Sequence, residues 1–141
     1  MGFHQVILIF FNISFLTSTI SDDLQQDVGT LRGVTGIVDG NCMPGPGAPP
    51  CEPVPTSMMV LITLSGKSFE MNTLQDSVKS GPDGQFDIKL PVGNYSLFVR
   101  FEDEILCGGP MECTPDCVCL PVTISADSVT TVGISVDQAA W

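Results

Sequence analysis

Gly81-Pro82-Asp83-Gly84-Gln85-Phe86-Asp87-Ile88-Lys89-Leu90-Pro91-Val92-Gly93-Asn94-Tyr95-Ser96-Leu97-Phe98-Val99 decides the fold of this chain. Gly81-Pro82-Asp83-Gly84 is a turn, because proline presets φ and glycine supplies a positive one. Phe86, Ile88 and Leu90 then alternate with Gln85, Asp87 and Lys89, the period of two that gives a strand one buried and one wet face. Pro91-Val92-Gly93-Asn94 is a second turn. The strand after it sends Tyr95, Leu97, Val99 and Phe101 inward and Ser96, Arg100 and Glu102 outward. Phe98 falls on the outer face and is the candidate partner contact of this strand.

The same grammar extends in both directions. Gly33-Val34-Thr35-Gly36-Ile37-Val38-Asp39-Gly40-Asn41 reads as a first strand closed by a turn, with glycines where the backbone packs closely on a neighbour. Residues 42–55 are crowded with proline and glycine and form an ordered loop rather than helix or central strand. Met58 to Leu64 is a strand with Met58, Val60, Ile62 and Leu64 on one face and Met59, Leu61 and Thr63 on the other, which suits a central position. A weaker polar strand covers residues 70–80. Val122 and Ile124 begin a strand expected to hairpin through Ala126-Asp127-Ser128 into Val132, Ile134 and Val136. No segment keeps helical spacing, so the expected class is all-β, a seven-stranded antiparallel β-sandwich.

Charge, cysteines and the amino terminus bound the setting. Met1 to about Ser21 carries Val6-Ile7-Leu8-Ile9-Phe10-Phe11, then Ile13, Phe15 and Leu16, an apolar core too short for a permanent span. It is read as a signal peptide over residues 1–21, cleaved after small residues, with an uncleaved anchor as the alternative because no Lys or Arg precedes it. Residues 22–31 are polar and acidic and are expected to be a flexible lead-in, with the domain at 32–138. Beyond the leader the chain has roughly 120 residues, enough for one domain with a real core. This part holds all sixteen acids and all five bases, hence the whole net charge of −11. Such a surface repels phosphate backbones and anionic lipid, so nucleic acid and membrane surfaces are not expected partners. The expected location is secreted or periplasmic, and the expected state a monomer.

Six cysteines, Cys42, Cys51, Cys107, Cys113, Cys117 and Cys119, all lie beyond the leader, and an even count in an exported chain implies disulfides. Cys42 and Cys51 bracket one short loop and are expected to pair. The other four are expected to pair among themselves, but not Cys117 with Cys119, whose ring would be strained. Four thiolates could instead hold zinc, although the spacing lacks paired Cys-x2-Cys knuckles. Glu102, Asp103 and Glu104, with Glu112 and Asp116, could gather round calcium. Consecutive strand residues point to opposite faces, so a solvated acidic edge is the preferred account.

The Asp83-Gly84-x-Phe86-x-Ile88-x-Leu90-Pro91-x-Gly93-x-Tyr95-x-Leu97-x-Val99 pattern, with Thr35-Gly36-Ile37-Val38 and Val60-x-Ile62-x-Leu64 before it, resembles the carboxypeptidase regulatory-like domain, a transthyretin-like sandwich. The likeness runs from about Arg32 to Asp137. It implies a small seven-stranded sandwich without catalytic residues. The cysteine loops depart from the bare pattern, leaving the shape of one end open.

Catalysis is not expected on residue grounds either. The single histidine, His4, lies in the leader, which removes imidazole acid–base chemistry and the histidine-dependent hydrolase arrangements. Asp39 and Asp83 precede glycines and are turn builders. No catalytic residue, cofactor or metal is assigned. The expectation is a non-catalytic module that presents its Cys-containing loops to a protein or glycan partner. The alternatives are a structural surface or matrix component and a calcium- or zinc-stabilised module.

Overall fold

The computed structural model describes residues 26–48, 51–114 and 116–138. The expected leader at 1–21, His4 and Trp141 lie outside them. Among the described residues the chain forms eleven strands and one 3-10 turn, Met71–Thr73. The strands are β1 Val28–Val38, β2 Val54–Pro55, β3 Met59–Leu64, β4 Leu74–Lys79, β5 Gln85–Pro91, β6 Gly93–Phe101, β7 Glu104–Cys107, β8 Met111–Cys113, β9 Cys117–Cys119, β10 Pro121–Ile124 and β11 Val129–Asp137. Among the described residues, no helix is long and apolar enough to cross a membrane.

Two sheets carry the fold. In the first, β1 is central, with β11 along one side and β5 and then β2 along the other. In the second, β6 is central, with β3 and then β4 on one side and β10 and β7 on the other. The short hairpin β8–β9 stands apart. The alternating residues named from the sequence meet between the sheets. Phe86, Leu90, Ile134 and Val136 come from the first sheet, joined there by Leu31, and Val60, Ile62, Tyr95, Leu97, Val99, Val122 and Ile124 from the second. All belong to one buried cluster. Burying each large aliphatic or aromatic side chain contributes about 1.5–3 kcal/mol against leaving it wet. The core strand β3 is central, as its two apolar faces predict, although Leu64 at its end is exposed.

Three expectations are corrected. The strand residues begin at Val28, inside the segment read as a flexible lead-in, and Leu31 is fully buried. That stretch pairs with Ile88, Lys89, Leu90 and Pro91 of β5, so its backbone is held by a ladder despite its polar surroundings. Second, β10 and β11 are not a hairpin. β10 pairs with β6, whereas β11 runs parallel to β1 in the other sheet, so the fold is not purely antiparallel. The turn at residues 125–128 switches sheets, and its Asp127 amide and Ser128 carbonyl bond to Val28 and Thr30. Third, Glu102 and Asp103 are neither strand edge nor cluster. Both have positive φ, 49° and 62°, and form the two-residue turn of the β6–β7 hairpin closed by the Phe101–Glu104 pair.

Glycine is needed where the backbone crowds. A Cβ on Gly33 would lie 2.7 Å from the Phe86 ring and 2.5 Å from the Val132 carbonyl. Gly84, with φ +74°, would drive a Cβ to 2.2 Å from the Thr35 carbonyl. That close approach lets the Thr35 amide reach the Gly84 carbonyl at 2.8 Å. Tyr95 is held differently: its buried ring lies in the core while its hydroxyl donates to the Pro91 carbonyl at 2.6 Å, bridging the β5–β6 turn. Burial pushes its phenol above the ordinary value of 10.0, because the charged form loses water.

These constraints generate two predictions. Gly84→Ala combines positive φ with a backbone clash, so urea unfolding should show a loss of roughly 1–3 kcal/mol, against a change near zero for alanine at the exposed, uncrowded Gly45. Tyr95 is the single tyrosine of the chain, so tyrosinate absorbance reports it alone. The folded protein should titrate above 10 and the urea-unfolded protein near 10. Since the folded state then holds the proton more tightly, stability should be flat below pH 10 and fall above it. Tyr95→Phe should abolish that alkaline loss.

Candidate binding end

The disulfide framework defines the candidate site. Cys42 pairs with Cys51, Cys107 with Cys119 and Cys113 with Cys117, with Cα separations of 5.7, 5.7 and 3.8 Å. The first pairing and the avoidance of Cys117–Cys119 are as expected. Among the described residues no cysteine is free, so the thiolates a zinc site requires are consumed. No group of three or more His, Cys, Asp or Glu side chains gathers among the described residues to hold a metal ion. Glu112 and Asp116 are exposed on the β8–β9 hairpin, apart from the Glu102–Asp103 turn. Three disulfides belong to an oxidising compartment, in keeping with the expectation of export.

The two cysteine loops reach the same end of the first sheet. β1 ends at Val38 beside Asp137 of β11, and the residues after β1 lead into the Cys42–Cys51 clip. From the clip, Glu52, Pro53 and Pro55 return to the sheet and wall an open cavity of about 410 Å³ with Thr35, Gly36 and Ser135. On the other side of Ser135, a cavity of similar size is lined by Cys107, Gly109, Pro110 and Val136. The Ser135 amide bonds the Gly108 carbonyl at 3.3 Å, fixing the second loop to β11. Ser135 is therefore the residue that both clipped segments approach.

Large apolar side chains mark these segments. Met43 lies beside the first clip, Val54 on β2, Ile105 on β7 and Met111 on β8, all exposed, with Val54 at 63%. Methionine adapts to irregular partner surfaces, and an apolar side chain left wet on a rigid loop is available to a partner. By contrast the described aromatic rings are withdrawn: Phe86, Tyr95 and Phe98 are buried, and Phe69 and Phe101 half-buried.

Phe98, the candidate contact, is thus corrected. It points away from the main core as its register requires, yet it is only 3% exposed. Phe69 covers it edge-on, with ring centroids 5.8 Å apart at 76°. Leu61, Cys119, Met59, Leu74 and Cys107 complete a second, smaller core. The cover comes from the residues between β3 and β4 and from the Cys107–Cys119 bridge, neither of which strand periodicity reports. The exposed Met43 and Met111 were missed for the opposite reason: their segments have no period, although their position within two residues of a cysteine was a usable signal.

No protein-family model and no curated protein matches this chain. Among solved structures, a candidate carbohydrate-binding protein of Pseudomonas aeruginosa is similar at 10% identity and a TM-score of 0.48, over 79% of this chain and 90% of that one. The minor pilin of Streptococcus agalactiae is similar at 18% identity and a TM-score of 0.46 over 82% of this chain, which spans 47% of the pilin. A leucine-rich repeat protein of Bacteroides thetaiotaomicron is similar at 13% identity and a TM-score of 0.37 over 79% of this chain and 12% of that protein. None of these likenesses assigns the chain to the carboxypeptidase regulatory-like family or gives it a ligand.

The two long-range clips differ in what they protect. Loop-closure entropy predicts about 3 kcal/mol for each. Cys119, however, is fully buried against Leu61 and Phe98, whereas Cys42 and Cys51 are both half-buried. Replacing Cys107 and Cys119 together by alanine should therefore cost about 1–3 kcal/mol more than replacing Cys42 and Cys51, through the added cavity. Chemical denaturation of the two double variants checks the order.

Proposed function

We propose that this chain is an exported, non-catalytic module of the carboxypeptidase regulatory-like sandwich type that binds a protein partner through its disulfide-clipped end. The observation that carries this reading is the convergence of both clipped loops on Ser135, with exposed Met43, Val54 and Met111 around them. Loops held on a rigid scaffold lose little entropy when they bind, which favours recognition there. The family reading is supported by the placement of its motif: the Asp83-Gly84 turn precedes β5, and Phe86 and Tyr95 both enter the core. A protein fits this end better than a glycan, because sugars are commonly held on exposed aromatic faces and the described rings here are packed inside. A purely structural role in a surface or matrix layer is the second reading, favoured by the three bridges in a small domain.

Affinity capture from the exported fraction of the source, followed by chemical cross-linking, tests the proposal. Wild type should retain a protein that cross-links at the loops. Met43→Asp with Met111→Asp should reduce its recovery at least tenfold, the effect of about 1.4 kcal/mol, with unchanged thermal melting. Val92→Asp, an exposed change in the β5–β6 turn at the far end of β1, should not reduce it. Equal recovery with both variants, retention of a glycan alone, or no specific partner at all would count against it, the last in favour of the structural reading.

A further inference from the structure

Sheet edges are normally protected against unwanted pairing by charge, proline or brevity. Most edges of this chain obey. β4 carries Asp76 and Lys79; β5 carries Asp87, Lys89 and Pro91; β7 begins at Glu104; β10 is four residues long and begins with Pro121; β2 is two residues ending in proline. β11 is the exception. Val129-Thr130-Thr131-Val132-Gly133-Ile134-Ser135-Val136 holds neither charge nor proline, is rich in β-branched residues, and pairs only with β1 among the described residues.

The hydrogen-bond phase along β11 is fixed by its two ends. The Thr30 amide donates to the Ser128 carbonyl, and the Gln138 amide donates to the Val38 carbonyl. In a parallel pair, alternate residues direct both amide and carbonyl to the same side, so residues 128, 130, 132, 134, 136 and 138 face β1. The residues between them face outward, as the Ser135 amide shows by bonding Gly108 instead. Among the described residues the outward amides and carbonyls of Val129, Thr131 and Gly133 therefore have no strand beside them, up to the point where Gly108 bonds Ser135.

We propose that this edge accepts an extended, basic-flanked polypeptide segment as an additional strand, in addition to and independently of contacts at the clipped loops. Main-chain bonds supply the affinity in such an addition, and alternate side chains the selectivity. Charge chooses the occupant. Asp127 stands at one end of the neutral stretch, Glu52 lies close to Ser135, and the domain as a whole is strongly acidic. Arg32, beside Thr131 in register, is already engaged by Asp87 at 2.8 Å. A second copy of the chain brings the same excess of negative charge to the edge, whereas lysines flanking an uncharged strand meet those acids.

Amide hydrogen exchange with the synthetic peptide Lys-Lys-Val-Thr-Val-Thr-Val-Lys-Lys tests this directly. In the free protein the amides of Thr130, Val132 and Ile134 should be protected and those of Val129, Thr131 and Gly133 should exchange fast. Peptide at ten times its Kd should slow the second set about tenfold, and less so when glutamates replace its lysines. Thr131→Pro should abolish the effect while leaving Val132 and Ile134 protected, because the Thr131 amide takes no part in the β1 ladder. A peptide N-methylated at alternate residues should give no protection, a control that does not depend on the variant folding. The proposal fails if the peptide confers no protection, if the N-methylated peptide protects equally, or if the outward amides are protected without peptide in proportion to protein concentration, which would make a second copy the occupant.

Discussion

A buried chain of hydroxyls at one end of β1 holds the two sheets in register, and the remaining architecture depends on it. The Met58 amide donates to Ser80 Oγ at 2.9 Å, Ser80 and Thr35 share a hydrogen bond of 2.5 Å, and Thr35 Oγ1 donates to the Thr56 carbonyl at 2.6 Å. Thr35 belongs to the first sheet, while Met58 and Ser80 flank the β3–β4 pair of the second. Thr35 and Ser80 are 0% and 2% exposed, so these groups have no water to fall back on. Neutral bonds of this kind contribute about 1 kcal/mol each, but leaving one partner buried and unpaired costs about 1–3 kcal/mol. The node therefore opposes sliding of one sheet over the other more than it adds to net stability. Its geometry also dictates Gly84, whose carbonyl completes the shell around Thr35.

This arrangement explains why the clipped loops can be long without being loose. The first loop leaves β1 at Val38, just past the Thr35 node, and returns through β2 to the same two residues of β1, Gly36 and Ile37. The Cys42–Cys51 bridge then shortens the free path between fixed points. The second loop is held by a bridge whose inner sulfur sits in the smaller core under Phe69 and Phe98. Backbone bonds from Cys119 to Gly66 and from Ser135 to Gly108 tie it to both sheets. A domain of this size gains from such crosslinks, because its single core is small.

Strand identity was legible because burial on one face writes itself as alternation. Phe86, Leu90, Tyr95, Leu97, Val122, Ile124, Ile134 and Val136 all point where their spacing says. Pairing was not legible to the same degree. Alternation in β10 and β11 is equally compatible with a hairpin and with a sheet change, since both bury the same residues; the choice rests on the vacant side of β1, which is a property of the whole topology. The start of β1 was hidden because Val28 and Leu31 sit in an acidic, glycine-bearing context that reads as unstructured until β5 pairs with it. Phe98 was misplaced because a two-layer scheme gives each strand one core face. Here β6 has two, the second supplied by Phe69 and the cystine at Cys107 and Cys119, which are far from Phe98 in the pattern that strand reading uses.

Placement of charge separates the surfaces by what they can tolerate. Most of the other exposed edges carry an ion or a proline, and the strongly acidic surface as a whole discourages copies of the chain from approaching one another. Retaining an uncharged, β-branched stretch beside that surface would be hazardous in a neutral protein, where like edges would pair and aggregate. Global repulsion thus permits an edge at β11, unpaired on its outer side among the described residues, that local protection would otherwise have to close. The same repulsion weakens as salt rises, because the screening length falls from about 10 Å at 0.1 M to about 3 Å at 1 M. Charge on the edge itself and net charge on the whole domain are alternative protections, and at β11 this chain relies on the second.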